Sequence, residues 1–175
     1  MTSRPVDDHR ILWELEQRRL VTETLLDYCE YVDSNDVATL VSQVFTEDAS
    51  FELGSRHAVV GRADLQRMFA KTLAGFSATS HHLSNVRVAF PPAGPGDDRA
   101  EATAYVYAWH QTPSGRRVEV WGRYRDRLRL TDEGWRIEAR RIAIAGFDGW
   151  ESAPFEVIER LPNPAELPAP TVQRR

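Results

Sequence analysis

The sequence has a single cysteine, Cys29, among its 175 residues. No intramolecular disulfide can brace the fold, and a reducing compartment is the expected setting. It lacks an apolar run of the ~18 residues that crossing a bilayer requires, and no apolar segment follows the polar opening MTSRPVDDHR. A membrane partner and a secretory leader are therefore not expected, and the cytoplasm is the expected location. It also lacks a basic excess, because 22 Lys and Arg stand against 26 Asp and Glu for a formal net charge of −4; nucleic acid is not an expected partner. No internal repeat is present. What remains is ample material for a core: 42% hydrophobic residues, with five Trp, five Tyr and seven Phe, in a chain of common single-domain size.

The first third reads as helix. From Asp8 to about Val32 the residues Leu12, Leu15, Leu25, Cys29 and Val32 recur near the helical period with charges between them, which predicts a long amphipathic helix broken near Arg18 and Arg19. Asp33-Ser34-Asn35-Asp36 interrupts it, and Ser34 or Asn35 is expected to cap a second helix carrying Val37, Leu40, Val41, Val44 and Phe45. Strand patterns follow at Ala49–Leu53 and His57–Val60 around the turn Gly54-Ser55-Arg56, and a third helix runs from Gly61 to about Leu73. Four long strands are predicted after it, at His81–Phe90, Arg99–Thr112, Arg117–Leu130 and Trp135–Ala145, separated by turns such as Pro91-Pro92-Ala93-Gly94-Pro95-Gly96. Helices followed by a meander mean an α+β fold, with helices on one face of a curved sheet. A domain spanning 1–150 is expected, followed by a 151–175 segment with a short helix at about Phe155–Leu161 and an extended tail punctuated by Pro162, Pro164, Pro168 and Pro170.

On the strand from Arg99, one face reads Ala100, Ala102, Ala104, Val106, Ala108, His110 and the other Glu101, Thr103, Tyr105, Tyr107, Trp109, Gln111. The small face suits either a cavity or the direct seating of the long helix. The aromatic face is expected to be covered by a second subunit in a dimer or trimer. Arg117, Arg123, Arg125, Arg127 and Arg129 share a face and read as a solvated or salt-bridged surface opposite Glu101 and Glu138.

Asp33 stands at the end of an amphipathic helix, and the histidines of TSHHLSN begin a strand. A carboxylate beside an imidazole fixes its tautomer and equips it to move a proton near neutral pH. Alternation alone puts His82 on the apolar face with Ser84, Val86, Val88 and Phe90, whereas a bulge near Ser84 would put His81 there. If Asp33 instead caps its own backbone and no ligand-sized cavity exists, a binding or accessory role follows. Adjacent strand histidines point to opposite faces, so His81, His82, His110 and Asp33 are not expected to hold a metal, and no cofactor is expected.

The order of YVDSND, VFTEDASFEL, VVGRADL, TSHHLSNVRV, YAWH and GRYRDRL…EGWRIEARRI, over Ile11 to Phe147, resembles the SnoaL-like branch of the nuclear-transport-factor-2-like superfamily, of scytalone dehydratase and bile-acid 7α-dehydratase type. The resemblance implies a conical α+β barrel of the cystatin-like kind enclosing one apolar pocket. It implies an Asp–His dyad falling on Asp33 and His81, which selects His81 over His82, and a helix tyrosine matching Tyr28. A substrate-binding tyrosine expected near the first strand falls at Glu52 or Leu53, which leaves the substrate open. The expected activity is a cofactor-independent lyase or isomerase of dehydratase type on an apolar, oxygenated ring compound resembling a polyketide or steroid, with a polyketide cyclase or a small-molecule-binding subunit as alternatives. The expected catalytic residues are His81, Asp33 and Tyr28, with His110, Tyr124, Trp109, Phe51, His82 and Asn85 as substrate contacts.

Overall fold

The computed structural model of the protein describes residues 8–54, 57–91 and 98–160. Helix α1 (Asp8–Asp33) leads to a short helix α2 (Val37–Thr39) and one π-turn (Leu40–Val44). Strands β1 (Phe45–Gly54) and β2 (His57–Val60) precede helix α3 (Arg62–Leu73), and β3 (Ala78–Ala89), β4 (Arg99–Gln111), β5 (Arg117–Thr131), β6 (Gly134–Asp148) and β7 (Glu156–Val157) complete the order. The sheet runs β2-β1-β6-β5-β4-β3, with β7 on β6. Strands β3 to β6 form the expected antiparallel meander, while β1 and β7 lie parallel to β6. The result is the α+β architecture that the patterning predicts, a curved and unclosed sheet with its helices.

Helix α1 is continuous through Arg18 and Arg19, where a break is predicted. Arg18 pairs with Glu14 at 2.6 Å and Arg19 with Glu16 at 2.8 Å, one turn away on the same helix, and such pairs support rather than interrupt it. Its C-terminal half carries the buried residues Val21, Leu25, Tyr28, Cys29 and Val32, whereas Leu12 and Leu15 are exposed and Trp13 packs on Phe90 with ring centroids 5.6 Å apart.

The end of α1 decides what Asp33 is free to do. Asn35 adopts a left-handed φ of 57°; the Asp36 N–H donates to Tyr31 O at 2.9 Å and the Asn35 N–H to Val32 O at 3.1 Å, which is a Schellman closure. Neither Ser34 nor Asn35 caps the second helix. Asp36 does, accepting from the Thr39 N–H at 3.1 Å. That helix is also shorter than predicted, since Leu40–Val44 form a π-turn and Phe45 already has the extended φ of −111° that begins β1.

Bulges in β3 and β6 reset which residues face inward. In β3, Ser84 pairs with Tyr105 but Arg87 pairs with Thr103, so Asn85 and Val86 together oppose Ala104, and Asn85 carries a φ of 51°. This is the bulge near Ser84 that the sequence leaves open. In β6, Ala139 pairs with Arg127 and Ile137 with Leu128, so Glu138 is the extra residue; Trp135 and Ile137 point into the core before it, and Arg140, Ile142 and Ile144 after it.

The chain beyond Asp148 folds back on the sheet. The short helix expected at Phe155–Leu161 is absent from its described part: Glu156–Val157 pair with Ala143 and Ile144, and Ile158 N–H donates to Ile144 O at 2.7 Å. Arg141 binds Glu156 at 2.6 Å. The edge of β6 satisfies this backbone better than an isolated turn of helix would. The proline-rich tail and the turn at 92–97 lie outside the described residues.

On the outer face of the sheet, Arg99 and Arg129 flank Glu138 at 2.6 and 3.5 Å, Arg129 also reaches Asp48 at 2.5 Å, and the Arg123 guanidinium lies 4.8 Å above the Tyr105 ring. That is the salt-bridged surface expected there.

Candidate active site

The site is a cavity of about 130 Å³ between the helices and the inner face of the sheet. Its walls are Tyr28 and Val32 of α1, Phe51 and Leu53 of β1, Met68, Phe69, Thr72 and Leu73 of α3, and, from the sheet, His81, Ala108, His110, Val120, Tyr124 and Ile142; Phe76 and Phe155 complete them. The small face of β4 behaves differently along its length. Ala100 and Ala102 pack in the core, while Ala108 and His110, near the strand's end, face the cavity.

Asp33 and His81 meet at one edge of this cavity. The carboxylate accepts three hydrogen bonds from β3: from the His81 ring Nδ1–H at 2.7 Å, from the His81 backbone N–H at 2.8 Å and from the Thr79 hydroxyl at 2.7 Å. Burial acts to raise the Asp33 carboxyl, but these donors outweigh it and hold the group below its ordinary value. With Nδ1–H committed to Asp33, Nε2 carries the lone pair of the neutral ring. The His81 side chain is 7% exposed and belongs to the cavity wall. Asp33 is therefore no cap, and the bulge at Asn85 places His81, Leu83, Val86 and Val88 toward the interior together.

Aromatic rings surround the dyad. Tyr28 meets His81 edge-on at 6.4 Å and Tyr124 at 5.7 Å, and it also touches Phe45 and Phe69 at 6.1 Å. Burial pushes the Tyr28 phenol up to about 12 and Tyr124 well above its ordinary value, so both are neutral hydroxyls at physiological pH. Behind them lies an ion pair that the sequence reading missed. Arg140 donates to Asp126 through Nε at 2.8 Å and Nη2 at 2.9 Å, with both side chains fully buried. The guanidinium carbon sits 4.0 Å from the Tyr28 ring centroid and 4.2 Å from that of Tyr124. Among the described residues its Nη1 has no hydrogen-bond partner. Burial opposes its charge, yet Asp126 more than offsets this and keeps Arg140 protonated.

His110 faces His81 at 5.3 Å between ring centroids and stacks near Phe76 at 4.7 Å. It is 8% exposed, and among the described residues its Nδ1 has no hydrogen-bond partner. Burial first, then the charge of His81, pushes it down to about 4. The native ring thus refuses a proton that the unfolded chain, at an ordinary value of 6.5, accepts. The stability this contributes is complete above pH 6.5 and is lost as the pH falls toward 4, by about 3 kcal/mol over the full range. Urea midpoints measured from pH 7 to pH 4 should fall more steeply for the parent than for His110→Phe. Parallel curves would show that His110 carries no such penalty.

Three expected contacts lie elsewhere. His82 is exposed on the outer face, bonded to Ser80 at 3.0 Å and near Tyr107, because its neighbour His81 occupies the inner position. Trp109 is likewise outer, paired with Glu119 across the strand between inward Ala108 and His110. Asn85 is the exposed bulge residue. His81, His82, His110 and Asp33 therefore do not converge on one point, and among the described residues no group of three or more His, Cys, Asp or Glu side chains could hold a metal ion.

Comparison with known proteins agrees with this architecture. A family profile described as a SnoaL-like domain matches residues 13–141. A solved structure of a candidate aromatic ring hydroxylase from Novosphingobium aromaticivorans is 31% identical, covering 78% of this chain and 94% of that one with a TM-score of 0.70. A candidate scytalone dehydratase from the same bacterium is 21% identical, covering 85% and 97% with a TM-score of 0.75. The hexachlorocyclohexane dehydrochlorinase LinA-type3 from Novosphingobium barchaimii is 14% identical, covering 85% and 99% with a TM-score of 0.67; these last two likenesses show the fold alone. No curated protein sequence matches. With the profile spanning most of its length, the chain belongs to the SnoaL-like family and has the nuclear-transport-factor-2-like cone as its fold.

Proposed function

We propose that this protein is a cofactor-independent lyase or isomerase of dehydratase type, acting on an apolar, oxygenated ring compound through the Asp33–His81 pair. The observation that carries the proposal is the 2.7 Å contact between Asp33 Oδ1 and His81 Nδ1 beside an aromatic cavity, with Asp33 free of any capping duty. In the reaction, His81 Nε2 takes a proton from a carbon next to a carbonyl. The C–H electron pair moves into the enolate; the protonated His81 then returns that proton from Nε2 to the β-hydroxyl, which leaves as water as the C=C bond forms and the ring is restored to its neutral state. Tyr28 donates a hydrogen bond to the developing oxyanion or the leaving hydroxyl, and the positive charge of Arg140 behind its ring favours that build-up of charge. His110 and Tyr124 serve as neutral polar contacts, and Phe51 as part of the apolar wall. Two fold neighbours bear names, dehydratase and dehydrochlorinase, that denote elimination, which supports this class over a plain binding role.

The test is conversion. Hydroxylated cyclic ketones incubated with the purified protein and followed by mass spectrometry should lose one water per molecule, or rearrange without mass change. A panel that binds but is never consumed would leave only a binding function. Assembly belongs to the same proposal. Tyr105, Tyr107 and Trp121 are 44%, 40% and 41% exposed on the outer sheet face, and a second copy is expected to cover them. Light scattering at micromolar concentration should therefore give a mass that is a multiple of 19.9 kDa; a stable monomer would count against it.

A further inference from the structure

The cavity limits the substrate more tightly than its reaction class does. Resting on the function proposed above, we infer that the substrate is a neutral molecule built on one six-membered ring, and that the steroid-sized compounds the resemblance suggests do not fit beside the dyad. Size is the first argument. An apolar protein cavity of about 150 Å³ accommodates benzene, and the space here is about 130 Å³. Four fused rings carry roughly three times the carbon of benzene and exceed it. The wall that would have to yield is built from rings locked against each other: Phe51 and Phe69 meet at 5.5 Å, and Phe69 packs on Tyr28. Interiors this dense do not open by a ring's width without displacing core residues.

Charge is the second argument. Among the described residues, no Lys, Arg, Asp or Glu lines the cavity. The nearest buried cation, Arg140, already has Asp126 as its counter-ion and lies behind the Tyr28 and Tyr124 rings, so it can polarise the Tyr28 hydroxyl but offers an entering anion no direct contact. A carboxylate or phosphate entering here would shed its hydration without gaining a counter-ion. A ketone or hydroxyl instead finds neutral partners in Tyr28 and His110, both of which line the cavity. Their ring centroids lie 6.4 and 5.3 Å from that of His81, so a second oxygen on the same ring is the natural complement to the reacting one.

Phe155 is the wall residue from the C-terminal segment, partly exposed, and it can be removed without entering the core. Calorimetric titration of the parent with 2-cyclohexenone, phenol, 1-naphthol, benzoate and androstenedione tests the inference without requiring turnover. The one-ring neutral compounds should bind saturably in the millimolar range or tighter. Benzoate should be at least about tenfold weaker than phenol, 1-naphthol should gain nothing over phenol despite its larger apolar area, and androstenedione should give no binding heat. Phe155→Ala should then strengthen 1-naphthol binding by about tenfold while weakening phenol. Tighter binding of androstenedione or benzoate than of phenol by the parent, or no saturable binding of any one-ring compound, overturns the inference. Asp33→Asn, which leaves every wall residue in place, should retain the same ligand order, so a failed size filter is distinguishable from a failed dyad: the first alters the ranking, the second only the conversion.

Discussion

Replacing His81 by alanine is expected to lower single-turnover conversion by about 10²–10⁴-fold, the range for loss of a general base. The variant should remain folded, because His81 sits at the cavity edge rather than in a close-packed layer, and the Thr79 hydroxyl still reaches Asp33 at 2.7 Å. Asp33→Asn should be comparably damaging for a different reason. The amide can still meet the ring, but it can present its N–H to Nδ1 and so favour the tautomer that puts the proton on Nε2, where the lone pair is needed. The amide also weakens two further bonds, from the His81 backbone N–H at 2.8 Å and from Thr79, so some loss of stability should accompany it. Tyr28→Phe keeps the ring against His81 and Tyr124 and removes only the hydroxyl. It should therefore reduce turnover more than it weakens substrate binding. Equal conversion rates for the parent and His81→Ala would end the acid–base reading, whatever the geometry.

The parts of this molecule that were legible in the sequence are those where one period persists. The face of β4 from Ala100 to His110 is buried at every second residue, because nothing interrupts its alternation. What alternation alone misplaces lies beside a phase change. A bulge adds one residue to a strand and costs little in composition, so alternation across Asn85 chose His82 on the wrong side of it; only the tolerance of asparagine for a left-handed φ hinted at the bulge. Arg140 was hidden in the same way by the extra residue Glu138. Asp126 had a usable signal. In R-Y-R-D-R-L it alternates with Tyr124 and Leu128, and a carboxylate on an apolar strand face needs a buried partner. Strand β7 spans two residues, too few for any period, and its pairing is decided by the free edge of β6 rather than by its own sequence.

The Asp126–Arg140 pair carries the largest expected effect on stability. Arg140→Met leaves a carboxylate in a fully buried site with no counter-charge, and Asp126→Leu leaves a guanidinium there; each should destabilise the fold by about 3–5 kcal/mol, a large share of the roughly 5–15 kcal/mol that holds a domain together. The double variant Asp126→Leu, Arg140→Met buries no charge at all. It should recover to within about 2 kcal/mol of the parent or better, because the desolvation of both ions disappears with them. Urea titration of all four proteins yields the coupling energy directly. Single variants that lose less than about 1 kcal/mol, or a double variant no more stable than the weaker single, would mean that the charges are relieved by water instead of by each other. The double variant also separates stability from chemistry. Its core is whole, but the positive charge 4.0 Å from the Tyr28 ring is gone, so a folded protein with reduced turnover is expected. Undiminished conversion in that variant would confine Arg140 to the architecture of the pocket floor.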